Sequence, residues 1–152
     1  MKYKKILCTH DGSPRSEKAY EHAKYLAMDL DSELILLNVL SVPAKPFGIS
    51  PTAGARKNIQ EHLEKIEKTL EKDIQKMFVQ KVNECKKLGI DARYVIEYGV
   101  PVEKIPEFTS KEKVDVIVMA SKPLPGIARM NVLGSVSRCV AERVKCPVLI
   151  VH

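Results

Sequence analysis

The chain has 152 residues, 45% hydrophobic and 29% charged, a balance that excludes wholesale disorder and suits one domain with a sizeable core. No apolar run approaches the roughly 18 residues of a membrane span, and the opening Met1–Cys8 is too short for a secretory leader, so a soluble, cytoplasmic protein is expected. The formal net charge of +6 favours anionic partners. However, basic and acidic residues interleave, as in Glu64, Lys65, Glu67 and Lys68, and aromatics are only 5%; that is a solvated helix face, and no dedicated nucleic-acid surface is expected.

The first element is the short apolar run Lys5–Thr9, which stops at Asp11-Gly12-Ser13-Pro14. Ser13 suits an N-cap and Pro14 the first helical position, where the missing N–H costs nothing. Ala19, Ala23, Leu26, Ala27 and Leu30 then recur at helical spacing. Leu34–Leu40 reads as a buried strand broken only by Asn38, and the proline- and glycine-bearing stretch from Ser41 to Ala55 reads as a variable loop. A long helix is predicted from about Arg56 to Leu88, ended by Gly89. Its stripe of Ile59, Leu63, Ile66, Leu70, Ile74 and Met77 is close to heptad spacing. Packing on a sheet accounts for the stripe better than a coiled coil, because the flanking segments need a cover.

Ala92–Tyr98 is the third strand, closed by Gly99. Pro101 opens a helix carrying Val102 and Ile105, which Pro106 is expected to shorten or kink. Val114–Ala120 is a further buried strand, Gly134-Ser135 opens a helix with Val136, Val140 and Val144, and Val148–Val151 after Pro147 is the last strand. The alternation of strands and helices predicts a single α/β domain, residues 1–152, built as an open five-stranded parallel sheet with helices on both faces. Four cysteines (Cys8, Cys85, Cys139, Cys146) show no C-x-x-C pair, and the four histidines are scattered. No metal site and no Cys–His nucleophile follow from them.

In open α/β sheets ligands sit beyond the carboxyl ends of the strands, where strand order reverses. With the first strand central, Thr9-His10-Asp11-Gly12 forms one wall, and the loop from Ser121-Lys122 to Gly134-Ser135 forms the other. The helix opened by Ser135 offers free N–H groups and a positive dipole end to an anion. An equally weighted alternative is that Gly134 only permits close packing and Ser135 only caps the helix.

Three segments, Lys4–Ser13, Leu36-Leu37-Asn38-Val39, and Leu133–Ser137 running through to Cys146–Val151, together resemble the universal stress protein family. The resemblance spans essentially the whole chain outside residues 43–55. It implies a Rossmann-like sheet of the adenine nucleotide alpha hydrolase type with strand order 3-2-1-4-5, a homodimer and, in one branch, bound ATP or another adenine nucleotide. By position it implies that Thr9, His10 and Asp11 border adenine and ribose, and that Val39 meets the base through its main chain. Gly134, Ser135, Val136 and Ser137 would hold phosphates. A triphosphate would bring Mg with it.

The nucleotide-binding branch carries G-x-x-G-x9-G-[ST] after the fourth strand. Counting back from Gly134 puts Leu124 and Ser121 at the two earlier glycine positions. Leu124 adds bulk where glycine lets amides approach, and Pro123 and Pro125 remove two donors. Gly126 is out of register, and Lys122 or Arg129 would have to supply charge instead. Each lost donor costs about 1–3 kcal/mol, or roughly tenfold to a hundredfold in affinity, so a weakened ATP, ADP or AMP site is expected.

Two further readings stand beside a nucleotide-responsive regulator. One is an interaction module that has lost the ligand and works through a protein partner. The other is an enzyme, which would need an S-G-G-x-D-S loop where this chain has Thr9-His10-Asp11-Gly12-Ser13. No catalytic set is visible, so at most slow ATP hydrolysis is expected. The uncharged run Val148–Val151, if it lies at the sheet edge, is expected to pair with its copy in a homodimer.

Overall fold

A computed structural model describes residues 3–41, 53–121 and 133–152. Most of the expected variable loop, and Lys122, Pro123, Leu124, Pro125, Gly126 and Arg129, lie outside the described residues. In chain order the elements are β1 (Lys5–Thr9), α1 (Pro14–Leu30), β2 (Glu33–Leu40), α2 (Ala53–Lys87), β3 (Ala92–Tyr98), α3 (Pro101–Glu112), β4 (Val116–Ala120), α4 (Ser135–Arg143) and β5 (Val148–Val151). The strands form one sheet in the order β3-β2-β1-β4-β5, and every pairing is parallel.

Alternation along the strands divides the core into two layers. Ile6, Cys8, Leu34 and Leu36 face α1 and α2, where they meet Ala19, Tyr20, Ala23, Phe78, Val82 and Cys85. Leu7, Ile35 and Leu37 face the opposite side, where Ile105, Phe108 and Val140 of α3 and α4 cover them. Both layers exclude solvent from β1 and most of β2, which explains why those strands read as near-continuous apolar runs.

The stripe along α2 is only partly used. Ile74 and Met77 pack on the core and Phe78, Val82 and Cys85 are buried. In contrast, Ile59, Ile66 and Leu70 are 41%, 53% and 51% exposed. The sheet therefore anchors α2 from about residue 74 onward, and the apolar face shifts there from the heptad register to the Phe78–Val82–Cys85 row.

Pro106 does not shorten α3, which runs unbroken over 12 residues. A proline at this position withholds the N–H that the Val102 carbonyl would otherwise accept. The Arg143 Nη1 of α4 donates to that carbonyl instead, at 3.3 Å. The fourth strand also starts later than expected, at Val116. Val114 N–H is committed to the Thr109 carbonyl at the end of α3, and the Asp115 carboxylate takes the Lys4 and Lys5 amides at 2.7 and 2.9 Å.

Candidate functional site

The tip of β1 is held tightly against β2. The His10 amide donates to the Leu37 carbonyl at 2.9 Å, and Asn38 Nδ2 donates to the His10 carbonyl at 2.7 Å. A residue's N–H and C=O leave a strand on the same side, and that side repeats every second residue. The Val39 peptide groups therefore point the same way as the Leu37 carbonyl, but past the end of β1. Asn38 Oδ1, by contrast, is buried without a hydrogen-bond partner among the described residues.

Beyond His10 the chain makes a compact turn into α1. Gly12 takes φ +84°, a left-handed angle that suits glycine. The nearest atom to a Cβ there is Ile74 Cδ1 at 3.6 Å, so the backbone angle, not crowding, calls for glycine. Asp11 Oδ1 accepts from the Ser13 amide at 3.1 Å, and Ser13 Oγ accepts from the Ser16 amide at 3.2 Å as the α1 cap.

The His10 ring points into the layer between α1 and α2, edge-on to Tyr20 and Phe78. It is 2% exposed. Its Nδ1 accepts from the Gly12 amide at 3.1 Å, and its Nε2 lies 3.1 Å from Glu17 Oε2. Glu17 Oε1 in turn binds Lys81 Nζ at 2.5 Å, and that ammonium lies 4.1 Å from the centroid of the Tyr20 ring. Burial pushes the His10 pKa down, the Glu17 hydrogen bond opposes this, and the Lys81 charge adds to the fall; the net shift is downward. Burial pushes the Glu17 carboxyl up, but its hydrogen bonds to Lys81 and His10 outweigh that and hold it below the usual range.

On the opposite side, β4 is followed by Ser121, whose Oγ accepts from the Gly134 amide at 3.2 Å. Ser137 Oγ donates to the Gly134 carbonyl at 3.1 Å and lies 3.5 Å from Ser121 Oγ. Ser121 and Ser137 are both buried, so these two hydroxyls brace the start of α4 internally. Ser135 and Val136 follow in the first turn, whose amides have no partner within the helix. Arg15 Nη1 reaches the Ser121 carbonyl at 3.1 Å, bringing a cation to the same end of β4.

Between these walls lies a cavity of about 550 Å³ at the carboxyl ends of β1, β2 and β4. All eight residues singled out from the sequence line it: Thr9, His10, Asp11, Val39, Gly134, Ser135, Val136 and Ser137. Sequence reasoning missed Asn38, Ser41, Pro101, Ile105, Met119 and Ala120, which also line it. The signal for the α3 pair was present, since Pro101 opens the helix that follows the carboxyl end of β3. Val39, Ile105, Met119 and Val136 contribute apolar lining, and Asp11, Asn38 and Ser135 contribute polar groups.

Among the described residues no cluster of His, Cys, Asp and Glu could hold a metal ion, and no helix is long and apolar enough to cross a membrane. All four cysteines are free thiols; burial pushes the Cys8 thiol up to about 12, which keeps it protonated and inert.

Comparison with known proteins agrees with this architecture. A universal stress protein of Methanocaldococcus jannaschii is 34% identical over 149 residues, covering 98% of this chain and 82% of that protein. The solved universal stress protein UspA from Lactobacillus plantarum superposes with a TM-score of 0.82 at 18% identity, covering 100% and 99% of the two chains. A universal stress protein solved in complex with cAMP superposes with a TM-score of 0.68 at 24% identity, covering 100% and 98%. The model of the universal stress protein family matches residues 2–152, and this chain belongs to that family.

Proposed function

We propose that this protein is a nucleotide-responsive regulator of the stress response whose cavity takes an adenine nucleotide, with short phosphate groups preferred. The observation that carries this reading is the Val39 peptide edge, which points past the end of β1 into an apolar cavity closed by the first turn of α4. Adenine presents an amino donor beside a ring-nitrogen acceptor, and a strand's neighbouring C=O and N–H complement that pair. Thr9 and Asp11 then border the ribose, and the Ser135 and Val136 amides with the Ser135 hydroxyl face the phosphate. Mg would accompany a triphosphate. The superposable cAMP complex, a single-phosphate adenine ligand, is consistent with this choice. Four free thiols suit a reducing, cytoplasmic setting.

The chain contains no Trp and 5 Tyr, so a co-purified nucleotide would dominate the ultraviolet spectrum. Calorimetry with cAMP, AMP, ADP and Mg-ATP is expected to give saturable heat, and Asp11→Ala is expected to weaken binding by about tenfold. No heat with any of the four at millimolar concentration would overturn the reading. It would favour instead a ligand-free interaction module, a role to which the Ser121 hydroxyl on the Gly134 amide also lends itself.

Dimerisation through β5 is part of the same proposal. Among the described residues β5 is an edge strand paired only with β4. Leu149 on it is 40% exposed, and the strand contains neither charge nor proline to blunt pairing. Light scattering at micromolar concentration is expected to return a dimer mass that Leu149→Lys reduces to the monomer. A monomeric parent protein would sink the β5 interface.

A further inference from the structure

His10 joins elements that the cavity alone does not connect. Its main chain is fixed to β2 through the Leu37 carbonyl and the Asn38 amide, and its ring reaches into the α1–α2 layer. The Gly12 N–H can only donate, so Nδ1 must carry a lone pair and the ring proton sits on Nε2, facing the Glu17 carboxylate. The single proton of Ser16 Oγ has the Ser13 carbonyl at 2.8 Å as its nearer acceptor, with Nδ1 at 3.3 Å. The ring is thus held in one tautomer by a backbone donor on one side and a carboxylate on the other.

We infer that His10 is the positioning residue of the nucleotide pocket: its neutral Nε2–H form fastens the Gly12 amide, sets Asp11 at the pocket's lip, and links that loop to the Glu17–Lys81 pair joining α1 to α2. This rests on the nucleotide reading above and adds a proton-dependent control to it. A proton on Nδ1 would face the Gly12 N–H and break that bond. It would also leave Glu17, one carboxylate, to balance two cations, His10 and Lys81. The groups facing the ring are Asp11 from the loop, Glu17 and Tyr20 from α1, Lys81 from α2, and Cys8 from β1. Cys8 and Tyr20 are both shifted upward by burial and stay neutral through the range in question. Glu17 stays ionised there, because its own shift is downward.

The sign follows from the direction of the His10 shift. A histidine whose folded-state pKa is depressed favours the neutral form, so its contribution is complete above the ordinary imidazole range and is lost as pH falls from that range through the lower folded-state value. Loop order and ligand affinity should therefore be full at pH 8 and decline on the acid side of the ordinary imidazole range.

cAMP is the probe of choice, because its phosphodiester keeps one charge throughout that interval. Parent protein is expected to bind cAMP more weakly at pH 5 than at pH 8, and the loss is expected to deepen as pH falls further through the depressed His10 pKa. His10→Phe keeps an aromatic ring between Tyr20 and Phe78 but offers no acceptor; it should bind weakly at both pH values while circular dichroism remains native. His10→Asn offers a non-titrating acceptor to Gly12 and should recover most of what His10→Phe loses, with a flat pH profile. A parent profile that stays flat down to the lowest pH at which circular dichroism remains native, or equal affinity in His10→Phe, would overturn the role of His10. Ligand-free protein supplies an independent readout: nitrogen-15 spectra should place the ring proton on Nε2, and the Gly12 amide should exchange slowly at pH 8 and faster in His10→Phe. If no nucleotide binds but these two signatures appear, the ligand reading fails and the latch stands. A proton on Nδ1, or a fast-exchanging Gly12 amide at pH 8, refutes the latch whatever the ligand does.

Discussion

Replacing Phe78 with Ala is expected to lower the free energy of unfolding by about 3–5 kcal/mol, one of the largest effects of any single truncation in the α1–α2 layer. Phe78 is fully buried. Its ring centroid lies 5.7 Å from that of Tyr94 on β3 and 6.0 Å from that of His10 at the end of β1, so one side chain ties α2 to both. Ala would leave a cavity bounded by β-strand residues that cannot collapse into it, and the cavity adds to the lost transfer energy. Leu70→Ala, eight residues earlier on the same helix, is expected to cost less than about 1 kcal/mol, because Leu70 is half exposed. Urea denaturation of the two variants measures the contrast directly. Equal losses would mean that α2 is anchored along its whole heptad stripe and not from residue 74 onward.

That contrast also marks where the sequence stopped being informative. Local chemistry was fully legible: Ser13 caps α1 and Pro14 starts it, as their side-chain oxygen and missing N–H require. The two-layer core follows from strand alternation, and the strand order implied by the family resemblance is the order observed. The extent to which α2 uses its apolar stripe depends on where the sheet ends, which no repeat within the helix encodes. Pro106 does not shorten α3, for a similar reason. The acceptor it orphans is satisfied by Arg143, 37 residues further on, and only the packing of α4 beside α3 brings the two together.

The candidate site divides the same way. The strand-end rule put Thr9, His10, Asp11, Gly134 and Ser135 at the crevice, because loops at the carboxyl ends of adjacent parallel strands must meet, and the family resemblance added Val39, Val136 and Ser137; all eight line one cavity. Side-chain direction was not legible. His10 lies at the cavity by sequence position, yet its ring points into the α1–α2 layer, with Nε2 on Glu17 of α1 and Nδ1 on the Gly12 amide. Ser137 stands in the first turn of α4, yet its hydroxyl turns back to the Gly134 carbonyl. Each orientation is set by partners distant in sequence or by burial, which spacing alone does not report.

Ser121→Gly is expected to tighten Mg-ATP binding by about tenfold to a hundredfold while changing cAMP affinity several-fold less. The family resemblance implies glycine at position 121, where this chain has Ser121, and its hydroxyl accepts the Gly134 N–H at 3.2 Å from a site that is almost fully buried. That oxygen sits where an anion's oxygen would accept the same amide, so a phosphate must displace it or do without the donor. Removing the side chain returns one donor to the ligand, and a donor to a charged oxygen contributes about 1–3 kcal/mol. A triphosphate that reaches the start of α4 gains from this, whereas a cyclic monophosphate anchored nearer the ribose gains less. The variant also strips Ser137 Oγ of its 3.5 Å neighbour, but the shorter bond to the Gly134 carbonyl holds that hydroxyl in place, so thermal stability should fall only slightly. Calorimetry of parent and variant with both ligands decides the matter: equal gains for Mg-ATP and cAMP would show that the Ser121 hydroxyl does not discriminate by phosphate length, and no gain for either would place the phosphates away from the Gly134 amide.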